Sequence, residues 1–444
     1  MLAEILALPR YGSGIGLARM HWMFQQLGQQ VRLSYPHAIK VTGSNGKGST
    51  AAFLSSILQA YGLQIGLYTS PHLQTVHERI RYNGRNIESE EMQQSLTWFL
   101  QKQQEYLGIY PDEYFSFFEA FTAAAFHYYA VKKPRLVVWE AGMGGRYDPT
   151  RIVPTRIVVL TSVDLEHTVV LGKTEEQIAY DKIDLCPEGG VLLLGNLTPH
   201  LNNRVLAYCQ LKNLQVLPLA VSYQAKDRKY QDGKMHWQVQ LTNTPSFAVE
   251  TRLLGDFQIE NAGLAICAAQ LYLQEQRIYS QKPFVAAVQQ GLANAKHTGR
   301  LQQIHTKPNI YWDAAHTPKA SQALFVSMQK LLNGKKVVLI YALAKDKDLP
   351  ATLAPLLPLC STLLTTDFGQ GFYTPKQLRQ ICQSIVAKVR VLVKENIDST
   401  LTHALTLAKN EDCSILLAGS VYLLQRAQPI VSKLVSEKVG EAFA

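Results

Sequence analysis

Short apolar runs recur along the chain, with helical stretches between them. The apolar start of Ala38 to Thr50, Leu63 to Tyr68, Arg135 to Glu140 and Arg156 to Val163 read as strands. The run Arg135-Leu136-Val137-Val138-Trp139-Glu140 is too hydrophobic to be half exposed, which argues for a parallel sheet covered on both faces. Helices are expected over Leu17 to Leu27, Ala51 to Ala60 with Gly62 as the stop, Glu88 to Leu107, the aromatic stretch Phe115 to Val131, and Thr174 to Leu185. Gly255-Asp256 opens an Ala-rich helix, after which strand signals at Val337 to Ile340, Leu363 to Thr365 and Ile415 to Ala418 alternate with helices. The pattern predicts an α/β protein: a P-loop-type, mostly parallel sheet domain followed by a smaller Rossmann-like α/β domain. The boundary is placed at His297-Thr298-Gly299-Arg300, giving domains over 1–296 and 301–444 with a hinge over 297–300.

Composition narrows the function. A chain of 444 residues is too long for one core, and 47% hydrophobic with 18% charged residues describes an ordered globular protein. The net charge of +10 favours anionic partners, and no run of five or more positive residues points to nucleic acid. The expected partners are small molecules, without nucleic acid or membrane, for a monomer. Cys186, Cys209, Cys267, Cys360, Cys382 and Cys413 include no C-x-x-C pair, so reduced, buried thiols are expected. Glu4 stands where a leader would be basic, and no apolar run approaches the ~20 residues of a membrane span. The expected location is the cytoplasm.

The candidate chemistry begins at Val41-Thr42-Gly43-Ser44-Asn45-Gly46-Lys47-Gly48-Ser49-Thr50, where a strand runs into a glycine-rich loop and then a helix. Converging N–H groups, a helix N-terminus and Lys47 make a phosphate cradle, and the Ser49 or Thr50 hydroxyl suits Mg²⁺. The strict P-loop spacing is not met, because Val41 stands where its first glycine belongs. Gly12-Ser13-Gly14-Ile15-Gly16 follows no strand and is discounted as a dinucleotide fingerprint. Glu140 ends a strand ahead of Gly142-Met143-Gly144-Gly145, as a metal-nucleotide site requires. On composition alone, Pro71 marks a surface loop, His167 a structural histidine, Lys182 a solvated lysine and Arg300 a surface ion. Glu119, set among aromatics, either braces the region of the bound ligands or faces solvent.

Gly43 to Ser49 resembles the nucleotide loop of the Mur ligase superfamily, in particular the folylpolyglutamate and dihydrofolate synthases. Ser70-Pro71-His72-Leu73 with Glu78-Arg79-Ile80 is similar to the family's folate loop, and the family's order continues through Phe118-Glu119, Glu140, His167, Lys182, Gln258 to Asn261, Gly299-Arg300, Asp313 to Pro318, Asp346-Lys347-Asp348 and Gly419 to Leu423. The resemblance implies ATP held by Gly43, Ser44, Asn45, Gly46, Lys47, Gly48, Ser49 and Thr50, by Asn261 at the adenine, and by Arg300 and Asp313. It implies two Mg²⁺ sites, one on Ser49 and Glu140 and one on His167 with Lys182 carbamylated. Folate falls to Ser70, Pro71, His72 and Arg79, glutamate to His316 and Ser420, and catalysis to Lys47, His167, Lys182, Asp313 and His316. The implied activity is ATP-dependent ligation of L-glutamate to a folate, tetrahydrofolate or dihydropteroate, through an acyl phosphate. Arg151, Glu166, Ala314, Thr317 and the Asp181-Lys182-Ile183-Asp184 stretch depart from the family's motifs. These departures motivate a rival, a nucleotide-binding protein with a degenerate ligase site. The other rival is a Mur-type amide ligase with a different acceptor, against which the 70–73 and 78–80 pair argues.

Overall fold

Strand β1 (His37–Thr42) is buried from its second residue onward, and the first sheet is built around it. The strands that join it are β2 (Ile65–Tyr68), β3 (Ile80–Tyr82), β4 (Arg85–Asn86), β5 (Leu136–Glu140), β6 (Ile157–Leu160), β7 (Val191–Leu194) and β8 (Gln215–Pro218). Their order is β4-β3-β2-β5-β1-β6-β7-β8. From β2 to β8 the pairs are parallel, and β3 and β4 fold back antiparallel at one edge. Strands β5, β6 and β7 are buried at every residue, the burial that their unbroken apolar runs require. The computed structural model describes residues 2–9, 12–242, 244–386 and 388–441.

The helix after β1 spans Lys47–Ala60, starting four residues before the periodicity alone suggests. Gly46, at φ 87, supplies the left-handed residue that turns the chain into it. This helix packs on β1, β2 and β5 and on the helix Gln281–Asn294. At that crossing a side chain on Gly291 would bring its Cβ to 2.5 Å from the Ile57 Cα, so only glycine permits the approach. Other helices of this region include Ala18–Gln25, Ser89–Ile109, Phe117–Lys132, Glu175–Ile183 and Pro199–Leu211.

Phe117–Lys132 feeds an aromatic core with Tyr68, Phe121, Phe126, Tyr129 and Trp139. Glu119 is buried and does not face water. Its Oε2 accepts from the Ser116 N–H and hydroxyl, each at 2.8 Å, closing a capping box, and its Oε1 accepts from Arg19 Nε at 3.1 Å.

Three further strands, β9 (Tyr223–Gln231), β10 (Lys234–Leu241) and β11 (Phe247–Thr251), form a sheet in the order β11-β10-β9. The last sheet holds β12 (Gln302–Thr306), β13 (Asn309–Asp313), β14 (Val337–Tyr341), β15 (Cys360–Thr365), β16 (Arg390–Val393) and β17 (Ser414–Ala418). Its order is β12-β13-β17-β14-β15-β16, parallel except for β12. The chain divides into two units, one over 1–226, 238–249 and 260–295, the other over 227–237, 250–259 and 296–444. All six cysteines are free and buried. No helix among the described residues is long and apolar enough to cross a membrane.

Candidate active site

In the first unit the loop after β1 is tied to the loop after β6. Ser44 N–H donates to the Ser162 carbonyl at 2.8 Å, Asn45 N–H to Ser162 Oγ at 2.9 Å, and Thr161 Oγ1 to the Asn45 carbonyl at 2.6 Å. Two of the expected phosphate donors are therefore spent on protein. The amides available to a phosphate are those of the first turn of Lys47–Ala60, which have no partners inside the helix. Lys47 Nζ bonds back to the Gly43 and Ser44 carbonyls at 2.7 and 3.2 Å. Ser49 and Thr50 are buried on that turn, and Asn261 stands over it, with its Oδ1 3.5 Å from Thr50 Oγ1. A Cβ on Gly46 would collide with the same Asn261 oxygen, which explains the glycine.

Glu140, 1% exposed, ends β5, and the residues up to His167 follow β6. The sequence suggests that their strands are adjacent; in the structure β1 lies between them. The Glu140 strand tip and the loop that leads to His167 thus start on either side of β1, at the carboxyl edge of parallel strands. Glu140 Oε2 accepts from Ser70 N–H at 2.9 Å, linking this acid to the 70–73 loop. His167 has φ 47, and its carbonyl accepts from the Val170 and Leu171 amides.

Lys182 is buried and pairs with Glu166 at 2.9 Å. Burial alone would raise the Glu166 carboxyl, but Lys182 and Lys47 together hold it down at about 2. Burial lowers the Lys182 amine, and Lys47 adds to this while Glu166 opposes it. An ammonium has no lone pair to give a metal, so Lys182 joins a metal site only once carbamylated. The substituted Glu166, one methylene longer than Asp, is the partner of the uncarbamylated amine.

The loop between Glu140 and Arg151 has a set of moorings that the motif reading passed over. Asp148, 3% exposed, accepts from the Gly142 and Met143 amides and from the Thr150 amide and hydroxyl. From β1, Thr42 Oγ1 donates to the Gly144 carbonyl at 2.7 Å, and Lys40 Nζ to the Arg151 carbonyl at 3.0 Å. Asp181 accepts from Gly145 N–H, and Asp184 pairs with Arg146 Nε at 2.7 Å and with Lys212. Arg151 is absorbed locally, its Nη1 donating to the Arg146 carbonyl. Lys40 is 1% exposed, and burial and Arg151 push its amine down to about 7, against Asp148. A lysine in the middle of an apolar strand was the available sign.

On the 70–73 loop, Glu78 is the anchor. Its carboxylate accepts from the Leu73, Gln74 and Thr75 amides at 2.8, 2.6 and 2.8 Å, and with Thr75 it makes a capping box. The Thr75-x-x-Glu78 spacing signals this. Arg79 Nε donates to His72 Nδ1 at 2.9 Å.

The second unit gathers its candidates at neighbouring strand tips, since Asp313 of β13 lies in register with Ala418 of β17. Asp313 is buried, and burial pushes its carboxyl up against the influence of Arg300. Its two oxygens accept from Leu301 N–H at 2.6 Å and Ala315 N–H at 2.7 Å, so it holds the segment after Arg300 against the 314–317 loop. His316 Nδ1 donates to the Ala314 carbonyl at 2.7 Å. Ser420 Oγ accepts from Tyr422 N–H at 3.1 Å.

Among the described residues no group of three or more His, Cys, Asp or Glu side chains forms a metal cage. The buried Glu140 carboxylate and Ser49 hydroxyl nevertheless fit Mg²⁺, which uses few protein oxygens and retains water or phosphate oxygens.

An anion cradle between two loops that carry Glu140 and His167, together with a second parallel-sheet unit, is the arrangement of a Mur-type ligase. A family model for the Mur ligase middle domain matches residues 41–269, and one for the Mur ligase glutamate ligase domain matches 299–421. The dihydrofolate synthase/folylpolyglutamate synthase of Bacillus subtilis is 30% identical over 357 residues, covering 76% of this chain and 77% of the relative. The folylpolyglutamate synthase of Lacticaseibacillus casei is 28% identical over 432 residues, covering 95% and 96%. A crystal structure of Mycobacterium tuberculosis folylpolyglutamate synthase with ADP and AMPPCP superposes with a TM-score of 0.84 at 25% identity, covering 94% of this chain and 95% of that one. The chain belongs to the folylpolyglutamate synthase/dihydrofolate synthase family of Mur ligases.

Proposed function

We propose that this protein uses ATP to join the amine of L-glutamate to the terminal carboxylate of a folate-type acceptor. The observation that supports the reading is the strand order, in which the strand leading to the Lys47 loop lies between the strand that ends at Glu140 and the strand that precedes the loop of His167. Family relatives matched over most of their length, named for folate ligation, support the acceptor class. The γ-phosphoryl passes to the acceptor carboxylate, giving an acyl phosphate and ADP; the glutamate amine then attacks the acyl carbon and inorganic phosphate leaves. The protein's part is positioning and charge, because phosphoryl transfer asks little covalent chemistry of side chains.

Lys47 and the first-turn amides of its helix hold the β- and γ-phosphates, and Asn261 packs against the same turn. Glu140 and Ser49 would hold one Mg²⁺, and His167 with carbamylated Lys182 a second; a bound Mg²⁺ supplies neutralisation of phosphate charge. Glu140, through its bond to Ser70 N–H, ties the start of the 70–73 loop to the end of β5. In the second unit His316 and Ser420 follow neighbouring strand tips and would face the incoming glutamate. Asp313 acts by fixing the loop that carries His316. Residues 297–300 act as the hinge, following the last passage of the chain from one unit to the other.

Lys47→Ala is expected to lower ATP turnover by at least about a hundredfold, the loss of one charge-stabilising donor at a transferring phosphoryl. The measurement is phosphate release with glutamate and either dihydropteroate or tetrahydrofolate. Near wild-type ligation by the variant sinks the cradle assignment, and the two acceptors decide whether the enzyme has one activity or two.

A further inference from the structure

The 70–73 loop holds an arrangement that the phosphate chemistry leaves unused. Arg79 is 6% exposed, and its guanidinium lies over the rings of Phe117 and Phe121 at 4.9 and 5.7 Å. Its backbone carbonyl accepts from Thr69 N–H at 3.0 Å, so both the chain and the side chain of Arg79 are fixed. Its Nε donates to His72 Nδ1 at 2.9 Å. A guanidinium has N–H groups and no acceptor, so Nδ1 must be the bare ring nitrogen and the imidazole proton must sit on Nε2. Burial and Arg79 push His72 down to about 4, with Glu78 opposing, which keeps the ring neutral at physiological pH. His72 is half-buried where Arg79 is buried, so a ligand at this loop meets the imidazole rather than the guanidinium.

We propose that Arg79 is a positioning residue: it fixes His72 as the Nε2–H tautomer and so makes this imidazole a hydrogen-bond donor to a lone pair of the acceptor's heterocycle. The proposal rests on the reading that residues 70–73 bind the acceptor substrate. A neutral donor suits an uncharged heterocycle with carbonyl and ring-nitrogen lone pairs. A carboxylate at this point would call for an exposed cation, and Arg79 is held away under the loop.

The test has two arms. Long-range ¹⁵N–¹H spectra of the ¹⁵N-histidine-labelled whole protein at pH 7, with His72 assigned by its disappearance in His72→Gln, report the tautomer directly. The expected result is Nε2–H in the wild type and a tautomer mixture in Arg79→Met. In steady-state kinetics Arg79→Met is expected to raise KM for the folate acceptor about tenfold, one hydrogen bond to the ligand, and to leave KM for ATP unchanged.

His72→Gln places an amide N–H where Nε2–H stood and has no tautomer to fix. In that background Arg79→Met is therefore expected to add little. Equal damage by Arg79→Met in both backgrounds, or an Nδ1–H tautomer in the wild type, overturns the proposal. The wild-type spectrum decides the tautomer even if Arg79→Met does not fold. An Nε2–H tautomer with acceptor KM unchanged in Arg79→Met, His72→Gln and His72→Ala alike overturns the placement of the acceptor at this loop and leaves the Arg79–His72 geometry standing.

Discussion

At the scale of single residues, the site is built from buried polar groups whose partners are backbone. Asp148 and Asp313 each spend both carboxylate oxygens on loop hydrogen bonds, and Glu78 accepts from three successive amides. Carboxylates satisfied this way, Asp148 and Asp313 buried and Glu78 half-buried, hold irregular backbone in one shape, which a phosphate or metal site needs. Lys40 is the costly member. Its amine sits at about 7 in the folded chain against an ordinary value of 10.5, so between those pH values the unfolded chain holds a proton that the folded chain has shed. Stability on this account rises with pH across the window, by up to about 1.4 kcal/mol per pH unit, and the full cost is present below about pH 7. Lys40→Met should remove that slope: relative to wild type, its urea midpoint is expected to be most favourable at pH 6 and to lose ground by pH 9. Parallel pH profiles for the two proteins would show that Lys40 carries no such cost.

At the scale of elements, the helix Lys47–Ala60 joins two tasks, presenting its N-terminal amides to phosphate and burying its other side against the sheet and the helix Gln281–Asn294. Ser56 Oγ donates to the Gly291 carbonyl at 2.7 Å at the point of closest approach. Gly291→Ala brings a methyl group against the Ile57 backbone, where no side chain can rotate away. Overpacking of this kind costs about 1–3 kcal/mol. A fall in the urea midpoint with an unchanged m-value is the expected result, and wild-type stability would mean that the two helices separate at no cost. Element types were legible from hydrophobic period alone, while the start of Lys47–Ala60 depended on the left-handed conformation of Gly46, which lies outside any apolar pattern. The anchor at Glu78 was legible in its capping-box spacing, and the Glu119–Arg19 pair was not, because its partners are 100 residues apart.

At the scale of the whole molecule, the ligase reading predicts that phosphate release depends on three substrates together. With ATP and acceptor but no glutamate, the acyl phosphate has no amine to meet, and turnover is expected to fall at least about tenfold if the site excludes water. Equal phosphate release with and without glutamate would mark a simple nucleotidase and sink the reading. The substitutions Arg151, Ala314 and Thr317, which suggested a degenerate site, are accommodated in different ways. Arg151 donates back into its own loop, Ala314 N–H donates to the Gly299 carbonyl, and Thr317 caps the helix Pro318–Leu332 through the Ala320 amide.

By itself the sequence determined the parts that depend on neighbours along the chain: the cradle, whose glycines and lysine act through local backbone, the apolar strands, and the ordered motifs that mark the family. Tertiary structure alone decided that β1 lies between the strand of Glu140 and the strand before His167, that Lys182 faces Glu166, and that Arg79, lying over aromatic rings, reaches His72. Strand order and buried pairing come from how the sheet and its helices pack across distant segments, and the period of the chain carries no record of which distant segment will be the neighbour.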